Sequence, residues 1–124
     1  MERVLEAAAG GRIAWGALAL AAPGLNVRLA GAADRDTPEI RYLIRVFGSR
    51  ALALGLGYLL SDPRARRRWR RICLAVDLCD TAAGAVHLVR GDVPRASAAG
   101  LTAFTGGYAA LGLLALRAEG REPR

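Results

Sequence analysis

The chain has 124 residues, enough for one domain and too few for two well-filled cores. Hydrophobic residues make up 53% and 15 glycines stand beside them, whereas Phe and Trp number two each, a mixture that excludes a strand-rich fold and suits close helix packing. The net charge of +7 comes from 18 arginines without a lysine, and six of them crowd into DPRARRRWRR, 62–71, between two long apolar stretches. That placement is how a membrane protein carries basic charge, and it points to anionic lipid head groups as partners rather than to nucleic acid.

The first apolar window is VLEAAAGGRIAWGALALAA, 4–22, which stops at Pro23-Gly24. Arg3, an apolar run and the small residues Ala21–Ala22 invite comparison with a signal peptide. Glu2, Glu6 and Arg12 interrupt the order such a peptide needs, so a retained first helix is expected. Glu6 lies near the helix start, where a carboxylate is favoured. Arg12 lies deeper, where a lone arginine asks for a partner.

The second window, YLIRVFGSRALALGLGYLL, 42–60, ends at Ser61-Asp62-Pro63. Arg45 and Ser49 share a face, and Arg50 projects elsewhere. Gly48, Ala51, Gly55 and Gly57 leave small surfaces, and the small-xxx-small spacing of Ala51 and Gly55 suits close approach by a neighbour. Tyr42 and Tyr58 fall where an interfacial aromatic belt would lie, whereas Trp15 of the first window is read as packing. Segment 61–71 is then expected to be a basic loop carrying Trp69.

The third window, ICLAVDLCDTAAGAVHLV, 72–89, contains Asp77, Asp80 and the single histidine, His87. Asp77, Asp80, Gly84 and His87 follow steps of three, four and three, which set them on one helical stripe with Thr81 beside it. Two carboxylates one turn apart in low dielectric do not both ionise comfortably without nearby cations. Depth makes Arg50 with Asp80 the favoured pair, with Arg12 and Asp77 as another. Cys73 and Cys79 are six residues apart, spaced neither as a zinc motif nor for a bridge within one helix, and read as inert thiols. Asp/Asp/His on one helix lacks further ligands, so neither a metal nor a cofactor is expected.

The fourth window, ASAAGLTAFTGGYAALGLLAL, 96–116, follows a turn at 90–95 and has only Ser97, Thr102, Thr105 and Tyr108 as polar side chains. All four windows match the roughly 20 residues that a helix needs to span about 30 Å of hydrocarbon. A soluble bundle would show a continuous polar face on every helix, which these do not. Arginine counts, high in 61–71 and in the tail with Arg117, Arg121 and Arg124, put both termini in the cytoplasm.

The second and third windows together, with Arg45, Gly48 and Arg50 followed by a basic loop and by Asp77 and Asp80, resemble small multi-pass bacterial proteins of the DUF4267-like group. That resemblance implies a four-helix membrane protein and carries no catalytic role. The expectation is therefore an all-α protein: one transmembrane domain over 1–124, an integral four-helix bundle with N and C termini cytoplasmic, in the bacterial cytoplasmic (inner) membrane. Its function is read as that of a structural or interaction subunit, packing with itself as a homo-oligomer or with a larger membrane protein. Three roles stay open for the polar cluster: an internal lock, a pocket or a proton path. The pocket would make the chain a small membrane enzyme acting on a lipid-like or hydrophobic metabolite, with Asp77, Asp80, Arg50, Arg45 and His87 as catalytic candidates by acid–base chemistry.

Overall fold

In the computed structural model, which describes residues 1–120, the chain folds into five α-helices. They are α1 (Glu2–Ala21), α2 (Pro23–Leu29), α3 (Pro38–Leu59), α4 (Pro63–Arg90) and α5 (Arg95–Glu119), with a 3-10 turn at Ala33–Arg35. The expected four-helix bundle is thus corrected to five helices. Segment 23–41, which connects the first two apolar windows, holds the seven-residue α2, which starts where Ala22 leaves helical geometry and Pro23 takes the first helical position.

The arginine segment is also corrected. It is not a loop but the first turns of α4. Asp62 caps that helix by accepting from the Ala65 amide at 2.9 Å, and Pro63 follows at the first position. Arginine is a good helix former, so nothing stops the helix from running into the apolar stretch. It ends at Gly91, whose φ of 67° is the left-handed conformation that glycine supplies at helix ends. In the same way Thr37 caps α3 by accepting from the Ile40 amide, and Pro38 starts that helix four residues earlier than its apolar window.

Three helices, α1, α4 and α5, are long and apolar enough to cross a membrane, and the protein is an all-α, multi-pass membrane protein. Helix α3 has the length but carries Arg45 and Arg50 in its middle, with Glu39 and Arg41 near its start. The placement of both termini in the cytoplasm depended on four equivalent crossings. Three qualifying helices remove that basis, and Arg121 and Arg124 lie outside the described residues.

Packing divides the long helices into two antiparallel hairpins, α1 with α3 and α4 with α5, whose backbones approach closely. Small residues make this possible. A methyl group on Gly16 would lie 2.6 Å from the Gly48 carbonyl oxygen, and one on Gly55 would lie 2.7 Å from the Ala9 carbonyl oxygen. In the second hairpin, Gly84 faces the Thr102 hydroxyl and Gly112 lies under Leu74. Lipid tails are as apolar as leucine, so such backbone-level fit, rather than burial from water, holds membrane helices together. A small cluster of Leu5, Ala9, Tyr58 and Ala115, flanked by Leu59 and Trp69, joins the hairpins at the arginine-rich end.

Gly16→Ala should therefore destabilise the detergent-solubilised protein by about 1–3 kcal/mol, because its methyl meets backbone that cannot yield. Gly10→Ala, on the same helix with open space around it, should be neutral or stabilising. Thermal unfolding of the two variants side by side checks this, and equal effects would refute close packing at Gly16.

Candidate functional site

The polar residues of the third window sit on the C-terminal half of α4, but they do not converge on one point. Steps of three residues leave successive side chains about 60° apart around a helix, and each member of the stripe meets a different neighbour. Asp77 faces α1, where Arg12 donates to its Oδ2 at 2.5 Å. The pair is deeply enclosed, with side chains 13% and 4% exposed. The Arg12 guanidinium also lies over the Tyr108 ring of α5, 4.3 Å from its centre, and the Tyr108 hydroxyl donates to the Ala8 carbonyl at 3.1 Å. One turn on, Thr81 bonds the Asp77 carbonyl at 2.6 Å and lies 3.0 Å from the Thr105 hydroxyl.

Asp80 points toward α3, where Arg50 donates to it at 2.6 Å while stacking on Phe47. This pair is more open, with side chains 44% and 24% exposed. Each carboxylate thus has its own guanidinium, which relieves the repulsion expected of two acids one turn apart. Both pairings expected from depth form. Arg45 reaches neither acid. Its Nε donates to the Leu20 carbonyl at 3.4 Å, supplying a donor to the C-terminal end of α1, where helix carbonyls lack partners. His87 is exposed and donates through Nδ1 to Asp92, 2.7 Å away in the turn that follows α4.

Several members of the network were either given other roles in the sequence, as Tyr58, Glu2 and Glu6 were, or not singled out, as with Arg66 and Arg70. Tyr58, placed in an interfacial belt, is buried, and its hydroxyl donates to Glu2 at 3.0 Å. Arg66 donates to Glu2 at 2.8 Å and to Glu6 at 3.1 Å, and also to the Ser61 and Leu59 carbonyls. Arg70 bridges Glu2 and Glu119, the latter at 2.7 Å. The signal for these was present in the i, i+4 spacing of Arg66 and Arg70 and of Glu2 and Glu6. It becomes legible only once 63–71 is read as helix rather than loop.

The space beside the buried pair is small. A cavity of about 40 Å³ opens among Arg12, Asp77, Tyr108, Cys73, Tyr58 and Arg70. A water needs about 10–15 Å³ of such space, so the cavity has room for a few waters. Small-molecule sites run to about 300–1,000 Å³. Chemically, the arrangement can fix charges and proton positions. It has no room beside Asp77 for a hydrophobic metabolite. Among the described residues, no group of three His, Cys, Asp or Glu side chains could hold a metal ion.

No protein-family model, curated protein or solved structure matches the chain. The resemblance to the DUF4267-like group is thereby corrected: Arg45, Gly48 and Arg50 form a pattern too loose to define a family, since arginine and glycine are among the commonest residues of this chain.

Asp77→Ala should cost about 3–5 kcal/mol, since it leaves Arg12 buried without its partner. The double replacement Arg12→Leu with Asp77→Leu should recover much of that loss, and Asp80→Ala at the open pair should cost less than Asp77→Ala. Denaturant unfolding in detergent reads the three, and an uncorrected loss in the double variant would rule out an uncompensated charge as the cause. At the end of α4, the hydrogen bond from His87 holds the Asp92 carboxyl below the usual carboxylate range, with the charges of His87 and Arg90 adding to it. A carboxyl depressed in the folded state stabilises the fold above its unfolded pKa and loses that contribution as pH falls through the lowered value. His87→Ala should move the Asp92 midpoint upward in a carboxyl-carbon NMR titration, and an unmoved midpoint would exclude the bond as its cause.

Proposed function

We propose that the protein is a structural or interaction subunit of a bacterial cytoplasmic membrane, with its two helical hairpins locked by Arg12–Asp77 and Arg50–Asp80. The observation that carries this is the direct closure of both carboxylates by arginines from the other hairpin, at 2.5 Å and 2.6 Å. Groups kept ready for acid–base chemistry need an open approach for a substrate, and the space beside Asp77 admits only a few waters. These features support the lock over the pocket.

The interaction part of the proposal rests on α3. Its outward face carries Arg45, Ser49 and Arg50 among Leu43, Val46 and Leu56, all exposed. Each of these polar groups has a partner within the chain, Arg45 the Leu20 carbonyl, Ser49 the Val46 carbonyl and Arg50 the Asp80 carboxylate, but guanidinium groups exposed to lipid tails are costly, and a neighbouring membrane helix shields them. A second copy of the chain or a larger membrane protein fits this face.

Single replacements Arg50→Asp and Asp80→Arg should each lower the amount of membrane-inserted protein several-fold by juxtaposing like charges. The swapped pair, R50D with D80R, should restore part of it. Quantitative blotting of membrane fractions measures this, and single variants that accumulate like the parent chain would remove the support for a lock.

A further inference from the structure

The first turns of α4 present two faces of opposite character. Arg66 and Arg70, four residues apart, turn inward and are neutralised by Glu2, Glu6 and Glu119. Arg64, Arg67, Arg68 and Arg71 follow the i, i+3, i+4, i+7 spacing and form one outward stripe. All four are exposed, and among the described residues none has an ion-pair partner.

Two physical terms make that stripe unfavourable by itself. Like charges three and four residues apart repel. The N-terminal end of a helix, where the aligned peptide dipoles leave positive charge, is also the wrong end for a cation, and Arg64 stands in the first turn of α4. Asp62, the nearest acid along the chain, is already engaged by the Ala65 amide, and Glu2 and Glu119, which border the same clefts as Arg67, are paired with Arg66 and Arg70. An external anion removes both penalties at once.

The stripe's continuation along the helix identifies the anion. Past Arg71 the outward face of α4 turns apolar, with Ile72, Leu78, Val86 and Val89 all exposed. A helix of 28 residues is about 42 Å long, against about 30 Å of hydrocarbon. The surplus is the arginine-bearing segment, so charge meets apolar surface where a bilayer's phosphates meet its acyl chains. We propose that Arg64, Arg67, Arg68 and Arg71 bind the phosphate groups of anionic phospholipids while the apolar face below packs on their acyl chains. Planar guanidinium groups suit this, since each can present two parallel donors to one phosphate.

The test uses the full chain purified in a neutral detergent, where insertion orientation plays no part. Retention of phosphatidylglycerol and of phosphatidylcholine with identical acyl chains is compared by native mass spectrometry. The parent chain should prefer phosphatidylglycerol by roughly tenfold or more, since each arginine at an anionic surface contributes several-fold. R64Q/R67Q/R68Q/R71Q should bring the two lipids near parity. R28Q/R35Q/R90Q/R95Q, which removes the same charge at the opposite end of the helices, should keep the preference. If the quadruple stripe variant does not fold, as judged by circular dichroism, R64Q/R68Q and R67Q/R71Q carry the comparison, each with a several-fold loss. Parity in the parent chain, equal losses in the stripe and opposite-end variants, or displacement of phosphatidylglycerol by millimolar inorganic phosphate would each overturn the proposal, the last by indicating a site for free phosphate.

Discussion

The buried pair of Arg12 and Asp77 is the interaction on which the arrangement of the helices depends. It joins α1 of one hairpin to α4 of the other, and Tyr108 of α5 closes over the guanidinium. A charge enclosed in a membrane protein is tolerated when it is paired and hydrogen-bonded, and removing one partner is far costlier than never having had either. Each side chain therefore commits the other. The hairpins can associate in the register that brings residue 12 beside residue 77, and slipping one hairpin along the other would strand both charges.

This gives two kinds of packing separate tasks. Within a hairpin, glycine and alanine let backbones meet, as Gly16 meets Gly48. That contact is short-ranged and depends on shape. Between hairpins the backbones stand farther apart, and long side chains cross the gap: Arg12 to Asp77, Arg50 to Asp80, Arg66 to Glu2 and Glu6, Arg70 to Glu2. Ion pairs tolerate a wider separation than methyl-scale packing but demand matched partners. Register within a hairpin is thus set by small-residue fit, and register between hairpins by charge.

Much of this was legible in the amino-acid order, and what was missed has physical causes. Hydropathy located the membrane-compatible parts of α1, α4 and α5, and depth along the helices matched Arg50 to Asp80 and Arg12 to Asp77. Hydropathy does not mark where a helix begins. Asp62-Pro63 and Thr37-Pro38 do, through capping, and they start α4 and α3 well before their apolar windows. Overlooking the first of these turned 62–71 into a loop and hid the inward pair Arg66 and Arg70. Helix α2 was missed because seven residues, PGLNVRL, are too few to show a period, and it is held by the helices around it, which bury Asn26 and Val27. Tyr58 was placed at the interface by its position near a window's end. Its hydroxyl instead finds Glu2, a pairing of residues 56 positions apart that no local pattern announces.

The exclusive use of arginine has a structural consequence whatever its origin in the gene. At Arg66 one planar head group serves Glu2, Glu6 and the carbonyls of Ser61 and Leu59 together, drawing the start of α1 and the end of α3 onto α4. At Arg12 the same group bonds a carboxylate through its N–H edge while its central carbon lies over the Tyr108 ring. An ammonium group has three donors on a single point and no face to stack, so it could meet neither set of partners in full. At both places the shape of the cation, beyond its charge, joins the helices.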